Sequence, residues 1–220
     1  FRDTHPPYAA AFVVAGLLAG GAALIYAKMH IPHLHHRRPR LVLRRKFGLY
    51  YLLELLFGAR KQVFITFGPW VLIQVYGFSA RNIAALLMTA GVIGILFRPL
   101  AGYLIDRFGE RTVMVVDGLV LAGVCIGYGY AEGLGPGWPV VLAGTCFVLD
   151  NLLFGLGASR AVYVSRLADS PQEVACTLSA GVSINHMASM VIPAAAGVVW
   201  AAWGYEKVCV GAAVLALTIS

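Results

Sequence analysis

Three stretches of this chain carry ionisable or amide side chains inside long apolar runs, and these define the chemistry open to it. The first holds Arg60, Lys61 and Gln62, the second Asp150 and Asn151, the third Asn185 and His186. A charge in hydrocarbon costs about 2.5–3.5 kcal/mol on insertion scales, so such residues pair, face a polar interior or hold a ligand. Adjacent cations at Arg60 and Lys61 suit an anionic or zwitterionic solute group. Asp150 lies 12 residues after Trp138 and 16 before Arg166. A carboxyl at that depth suits proton carriage. Histidine changes charge near neutral pH, so His186 suits coupling or solute contact. Each has a structural alternative: Lys61 with Glu54, or Arg60 with Asp150, as a permanent ion pair, and His186 donating to a neighbouring carbonyl.

The spacing adds to this. Arg60 and Lys61 follow Lys46 by 14 and 15 residues, about 20 Å along a helix. Glu54, Gly58 and Lys61 share one helical face. Gln62 and Thr66 form a second polar pair, and Gly68-Pro69 is expected to bend or break the helix. Ser179, Ser183, His186 and Ser189 form a polar stripe beside Asn185. Gly155, Gly157 and Ala158 offer a thin face for close packing. Asp117, near the start of its span, reads as structural near the headgroups, and Arg98 as a side chain that reaches toward the cytoplasmic surface.

His30, His33, His35 and His36 resemble a metal box at first sight. One cluster plus isolated His5 and His186 does not make a di-iron site, and Arg37, Arg38 and Arg40 beside it oppose a dication. A solvated basic loop is the expected reading, with no metal and no cofactor. Cys125, Cys146, Cys176 and Cys209 are scattered through apolar segments and read as packing residues.

Positioning such groups requires membrane-spanning helices. Hydrophobic residues make up 60% of the chain and charged ones 12%, against about 25% charged in soluble domains. A span needs about 20 mostly apolar residues. Spans are predicted at 8–27, 47–78, 80–101, 112–131, 138–163 and within 174–205. A seventh begins near Lys207 and is cut short at Ser220. The net charge of +7 does not indicate nucleic acid, because seven of the 17 basic residues lie from Lys28 to Lys46 between apolar runs. Loops after the first, third and fifth spans hold nearly all the Arg and Lys, which makes them cytoplasmic. The absence of Met at Phe1 reads as a piece of a longer protein.

The segment Gly102-Tyr103-Leu104-Ile105-Asp106-Arg107-Phe108-Gly109-Glu110-Arg111 resembles the signature loop of the major facilitator superfamily, GxLxDRxGRR. Gly102, Leu104, Asp106, Arg107, Gly109 and Arg111 match, whereas Glu110 stands where a basic residue is usual. Two spans precede the helix that ends in this loop, and a basic segment separates them. That register is similar to the second half of the fold.

The resemblance implies an all-α membrane protein, the six-helix half-bundle of a major facilitator superfamily fold. Residues 1–29 would be the sixth helix, 30–46 the basic cytoplasmic linker, and 47–220 the C-terminal bundle with a truncated last helix. It implies secondary transport of a small solute by alternating access, coupled to protons or another ion, in the cell (inner) membrane. The expected partners are that solute, the coupling ion, the lipid bilayer and an N-terminal six-helix half. Gly102, Asp106, Arg107, Gly109 and Arg111 would form a conformational latch with Arg160 and Arg166, Asp106 also capping the next helix. A transporter-like sensor or scaffold is the alternative, and a metal-dependent membrane enzyme a weaker one. No nucleotide-binding or hydrolytic motif is visible.

Overall fold

The computed structural model describes residues 8–29, 43–133, 135 and 137–219, and every regular element among them is helical. They divide into two units, 1–39 and 40–220. The first contains α1, Tyr8–Lys28, apolar on every side and free of charge until its last residue. The histidine cluster at His30, His33, His35 and His36, with His5, Arg37, Arg38 and Arg40, lies outside the described residues.

The second unit is a bundle of α2 (Gly48–Gln74), α3 (Ala80–Phe108), α4 (Glu110–Tyr130), α5 (Trp138–Leu153), α6 (Ala158–Leu167), α7 (Pro171–Trp203) and α8 (Tyr205–Ile219). Hydrocarbon offers the backbone no hydrogen bonds, so apolar runs of this length satisfy their own as helices. Polar residues mark the starts. Ser79 accepts from the Asn82 amide and Ser170 from the Glu173 amide, each capping free N–H groups. Among the described residues, five helical stretches, one of them α1, are long and apolar enough to cross a membrane. Helix α2 is set apart by Glu54, Arg60 and Lys61, and α8 by its 15 residues. Large apolar side chains remain exposed on the outside, among them Leu96 and Met190.

Helix α2 packs along α7, α4 along α8, and α3 along α5. Small residues permit the approach. A Cβ on Gly58 would sit 2.6 Å from the Asn185 carbonyl oxygen, and one on Gly129 would sit 2.8 Å from Cys209 Cβ. The core between α2, α4, α5 and α8 is apolar, with Phe64, Val71, Leu72, Cys125 and Ala216 at its centre.

Three expectations change. The fifth span is interrupted: a 3-10 turn at Phe154–Gly157 separates α5 from α6. Gly155 and Gly157 hold a regular helix poorly. Helix α2 runs unbroken through Pro69, and the Gly68 carbonyl beside it accepts the Tyr128 hydroxyl at 2.5 Å. Packing on α4 thus holds the helix beside Pro69, where a bend was expected. The signature loop is nearly all helix. Helix α3 continues to Phe108 and α4 starts at Glu110, with Gly109 alone between them at φ +82. That left-handed conformation suits glycine, and it makes the reversal in one residue. Gly102 has open space where a Cβ would stand, so no close approach among the described residues depends on it.

Candidate functional site

The buried polar residues form three levels along the bundle, starting from the end where α2, α4 and α7 begin. At that end Arg44 Nη1 pairs with Glu173 Oε1 at 2.7 Å, and Lys46 Nζ with Asp169 at 2.6 Å and Glu173 at 2.8 Å. The two carboxylates, accepting from it, hold the Lys46 ammonium above the ordinary lysine value. Arg166 pairs with Glu110 at 2.8 Å. These contacts place the segment before α2, the α3–α4 turn and the α6–α7 loop at one end. Tyr76 donating to the Tyr128 carbonyl, and Trp70 stacking on Trp200, tie the other end.

The pairs also reassign the latch residues. Arg160 and Arg166 have partners other than Asp106, namely Glu54 and Glu110. Asp106 lies in the last turn of α3, exposed, with no hydrogen bond or ion pair among the described residues, and it does not cap α4. Glu110, the departure from the motif, is the acid that points inward and reaches α6. Arg107 donates to Tyr103 on its own helix at 3.2 Å, and Arg111 is exposed.

The second level lies about 12 Å along α2 from Lys46, eight residues on. Arg160 Nε donates to Glu54 Oε1 at 2.8 Å, and its guanidinium stacks 3.6 Å from the Phe57 ring centroid. Asn185 donates to Glu54 Oε2 at 3.1 Å and accepts from Lys61 Nζ at 2.6 Å. Lys61 and Glu54 are therefore joined through Asn185, a residue of α7, and Gly58 leaves room for it. Gln62 donates to Thr66 at 3.1 Å.

The third level is the deepest. Arg60, 0% exposed, donates from Nη1 to Asp150 Oδ1 at 2.5 Å, and Asp150 is 2% exposed. The rings of Phe57, Phe64 and Phe154 surround the guanidinium. Its Nε and Nη2 have no nitrogen or oxygen hydrogen-bond partner among the described residues, the Cys125 thiol being the polar group beside the guanidinium, and Oδ1 of Asp117, which is 5% exposed, has no hydrogen-bond partner among them either. Arg60 is the strongest charge acting on Asp117. Asp117 therefore faces the bundle interior rather than the headgroups. Sequence reasoning missed this because one and a half turns of depth do not say which way a helix is rotated.

The anticipated single site is thus divided. Arg60 and Asp150 are enclosed and paired. Lys61 and Asn185 belong to the Glu54 network. His186 is exposed on α7 and makes no hydrogen bond among the described residues, while Ser183 and Ser189 donate back to carbonyls of their own helix. Asn151 donates to the Phe147 carbonyl at 2.8 Å and lines an open groove with Arg98 between α3 and the α5–α6 break. Among the described residues no group of three or more His, Cys, Asp or Glu side chains is arranged to hold a metal.

The second and third levels hold three bases, Arg60, Lys61 and Arg160, and three acids, Glu54, Asp117 and Asp150. Such a balanced interior is what low-dielectric burial requires, and membrane proteins that carry intramembrane charge use it for relays and solute paths. No curated protein and no solved structure matches the chain. The family model of the Major Facilitator Superfamily matches residues 4–193. With a helical architecture, spans of membrane length and the Gly102–Arg111 turn at a single end of the bundle, this chain belongs to the major facilitator superfamily, a family of membrane transporters.

Proposed function

We propose that this chain is the second half of a secondary transporter that moves a small solute by alternating access and is coupled to protons through Asp150. The carrying observation is the Arg60–Asp150 pair: enclosed in the apolar interior, bonded through a single guanidinium nitrogen, with unsatisfied donors on Arg60 and an unsatisfied acceptor on Asp117 beside it. A proton on Asp150 would neutralise it and release Arg60. The guanidinium would then turn its free N–H groups to Asp117, on a different helix. Occupancy of one proton would in this way select between two arrangements of α2, α4 and α5. A two-state element biased by a ligand is what coupling needs.

The register of the signature turn, with two spans before its helix, supports assignment to the second half. The Lys and Arg distribution supports a cytoplasmic location for the end bearing Glu110, Arg166 and Lys46, in the cell membrane. The solute path would form against a first six-helix half.

The test is transport by the whole protein in proteoliposomes, with a solute panel and an imposed pH gradient. Asp150→Asn is expected to abolish gradient-driven accumulation while leaving solute exchange intact, because exchange moves no net proton. Wild-type accumulation in that variant across pH 5 to 8 would rule out Asp150 as the carrier. Solute binding without uptake or exchange in the wild type would favour a sensor or scaffold instead.

A further inference from the structure

Among the described residues, six charged side chains balance in the two buried levels, and a further one, Arg98, lies within the apolar run of α3. It sits 10 residues before the end of α3 at Phe108, about 15 Å along the helix, and is exposed. It has no hydrogen bond or ion pair among the described residues. Arg98 Cγ lies 3.6 Å from where a Cβ on Gly155 would be, so the stem packs against the 3-10 break between α5 and α6. Arg98 lines a groove of about 610 Å³ between α3 and that break, a volume within the range of small-molecule sites. The groove floor is apolar and thin, made by Gly94, Leu152, Gly155 and Ala158. Asn151 is the other polar residue of its lining, and it uses one amide N–H on the Phe147 carbonyl, leaving the second. No acidic residue lines it.

On the reading of this chain as half of a transporter, we infer that the Arg98 groove binds an oxyanion, a carboxylate or phosphate group, held by the guanidinium fork of Arg98 and the free amide N–H of Asn151. An arginine without a protein partner inside an apolar run is stabilised by a counter-charge. The planar guanidinium matches two oxygens of a carboxylate or phosphate at once. The glycine and alanine floor leaves space for the body of the molecule. The anion comes either from a soluble solute, which makes it the transported class, or from the headgroup of an anionic lipid lodged in the groove.

The test measures binding separately from transport. The whole protein is purified in neutral detergent and its thermal unfolding is followed against inorganic phosphate, malonate and, as a control for salt, chloride. A second arm measures retention of phosphatidylglycerol by native mass spectrometry. Saturable stabilisation by phosphate or malonate beyond that of chloride is expected for a soluble anion, and selective retention of phosphatidylglycerol for a lipid. In either arm Arg98→Gln should weaken binding roughly tenfold or more, as loss of charge-assisted hydrogen bonds implies. Arg98→Lys, which keeps charge without the fork, should lose less. Ala158→Leu fills the groove while leaving Arg98 in place, and should also weaken binding. Equal binding in wild type and Arg98→Gln, or no saturable binding in either arm, overturns the inference. Uptake assays separate this from the function proposed above. Anion binding without any uptake refutes transport and leaves the site standing. Uptake of neutral or cationic solutes alone, unchanged by Arg98→Gln and with no saturable binding in either arm, refutes the site and leaves transport standing.

Discussion

Replacing Asp150 by Asn keeps the shape of the side chain and strips the charge from a pair that water does not reach. Arg60 is then a guanidinium with 0% exposure, three aromatic rings around it and no carboxylate on Nη1. Removing one partner of a buried pair costs about 3–5 kcal/mol, because the remaining charge is left desolvated. Two features set the variant within that range. The amide oxygen of Asn still accepts from Nη1, which lowers the cost. Asp117 also stands close enough for Arg60 to be its leading electrostatic neighbour, and an ionised Asp117 can take part of the load. We therefore expect the lower end, about 3 kcal/mol, for Asp150→Asn. Asp117→Asn combined with it should raise the cost toward the upper end, about 5 kcal/mol. Arg60→Met with Asp150→Leu removes both charges and should recover stability to within about 1–2 kcal/mol of wild type, since apolar replacement of a buried pair is often neutral. Unfolding of the purified protein in detergent, followed by tryptophan fluorescence or thermal shift, measures all three against wild type. Wild-type stability in Asp150→Asn, or no recovery in the doubly apolar variant, would refute the view that Arg60 depends on these carboxylates.

Three further outcomes follow from particular contacts. Gly58→Val should destabilise by about 2–3 kcal/mol or prevent folding, because even a Cβ would fall 2.6 Å from the Asn185 carbonyl oxygen; the same unfolding assay reads it, and Gly102→Val, in open space, should change little. Glu110→Arg restores the residue type usual in the signature turn but sets it against Arg166, so it should lower transport, and adding Arg166→Glu should restore it. Recovery without the second change would mean that the Glu110–Arg166 pair is irrelevant. A single cysteine at Asp169, whose side chain is 83% exposed, should react with an impermeant reagent from the cytoplasmic side, and one at Glu132 from the opposite side; reversed labelling overturns the orientation.

Much of the architecture was legible in the residue order because a bilayer imposes it. Charge-free runs such as 8–27 and 174–205 have no stable alternative to helices in hydrocarbon, and their boundaries fell within a few residues of the observed helices. The Gly102–Arg111 turn was legible for a related reason: Gly109, followed by a new helix, is a local property of the chain. The pairing of Arg60 with Asp150 was readable as one of two choices, since each is a charge at similar depth that needs a partner.

What the sequence by itself determined was which apolar runs become helices and which charges they carry, because those follow from local hydrophobicity and a fixed rise per residue. Only the tertiary structure decided which way each helix is rotated. That rotation turned Asp117 inward and His186 outward, put Asn185 between Lys61 and Glu54, gave Arg160 to Glu54 rather than to Asp106, and laid Arg98 across Gly155. Depth is a one-dimensional quantity that a single helix fixes alone. Rotation is settled by the shapes of its neighbours, here by small residues such as Gly58 and Gly129 that let particular faces meet, and so it belongs to the packed bundle.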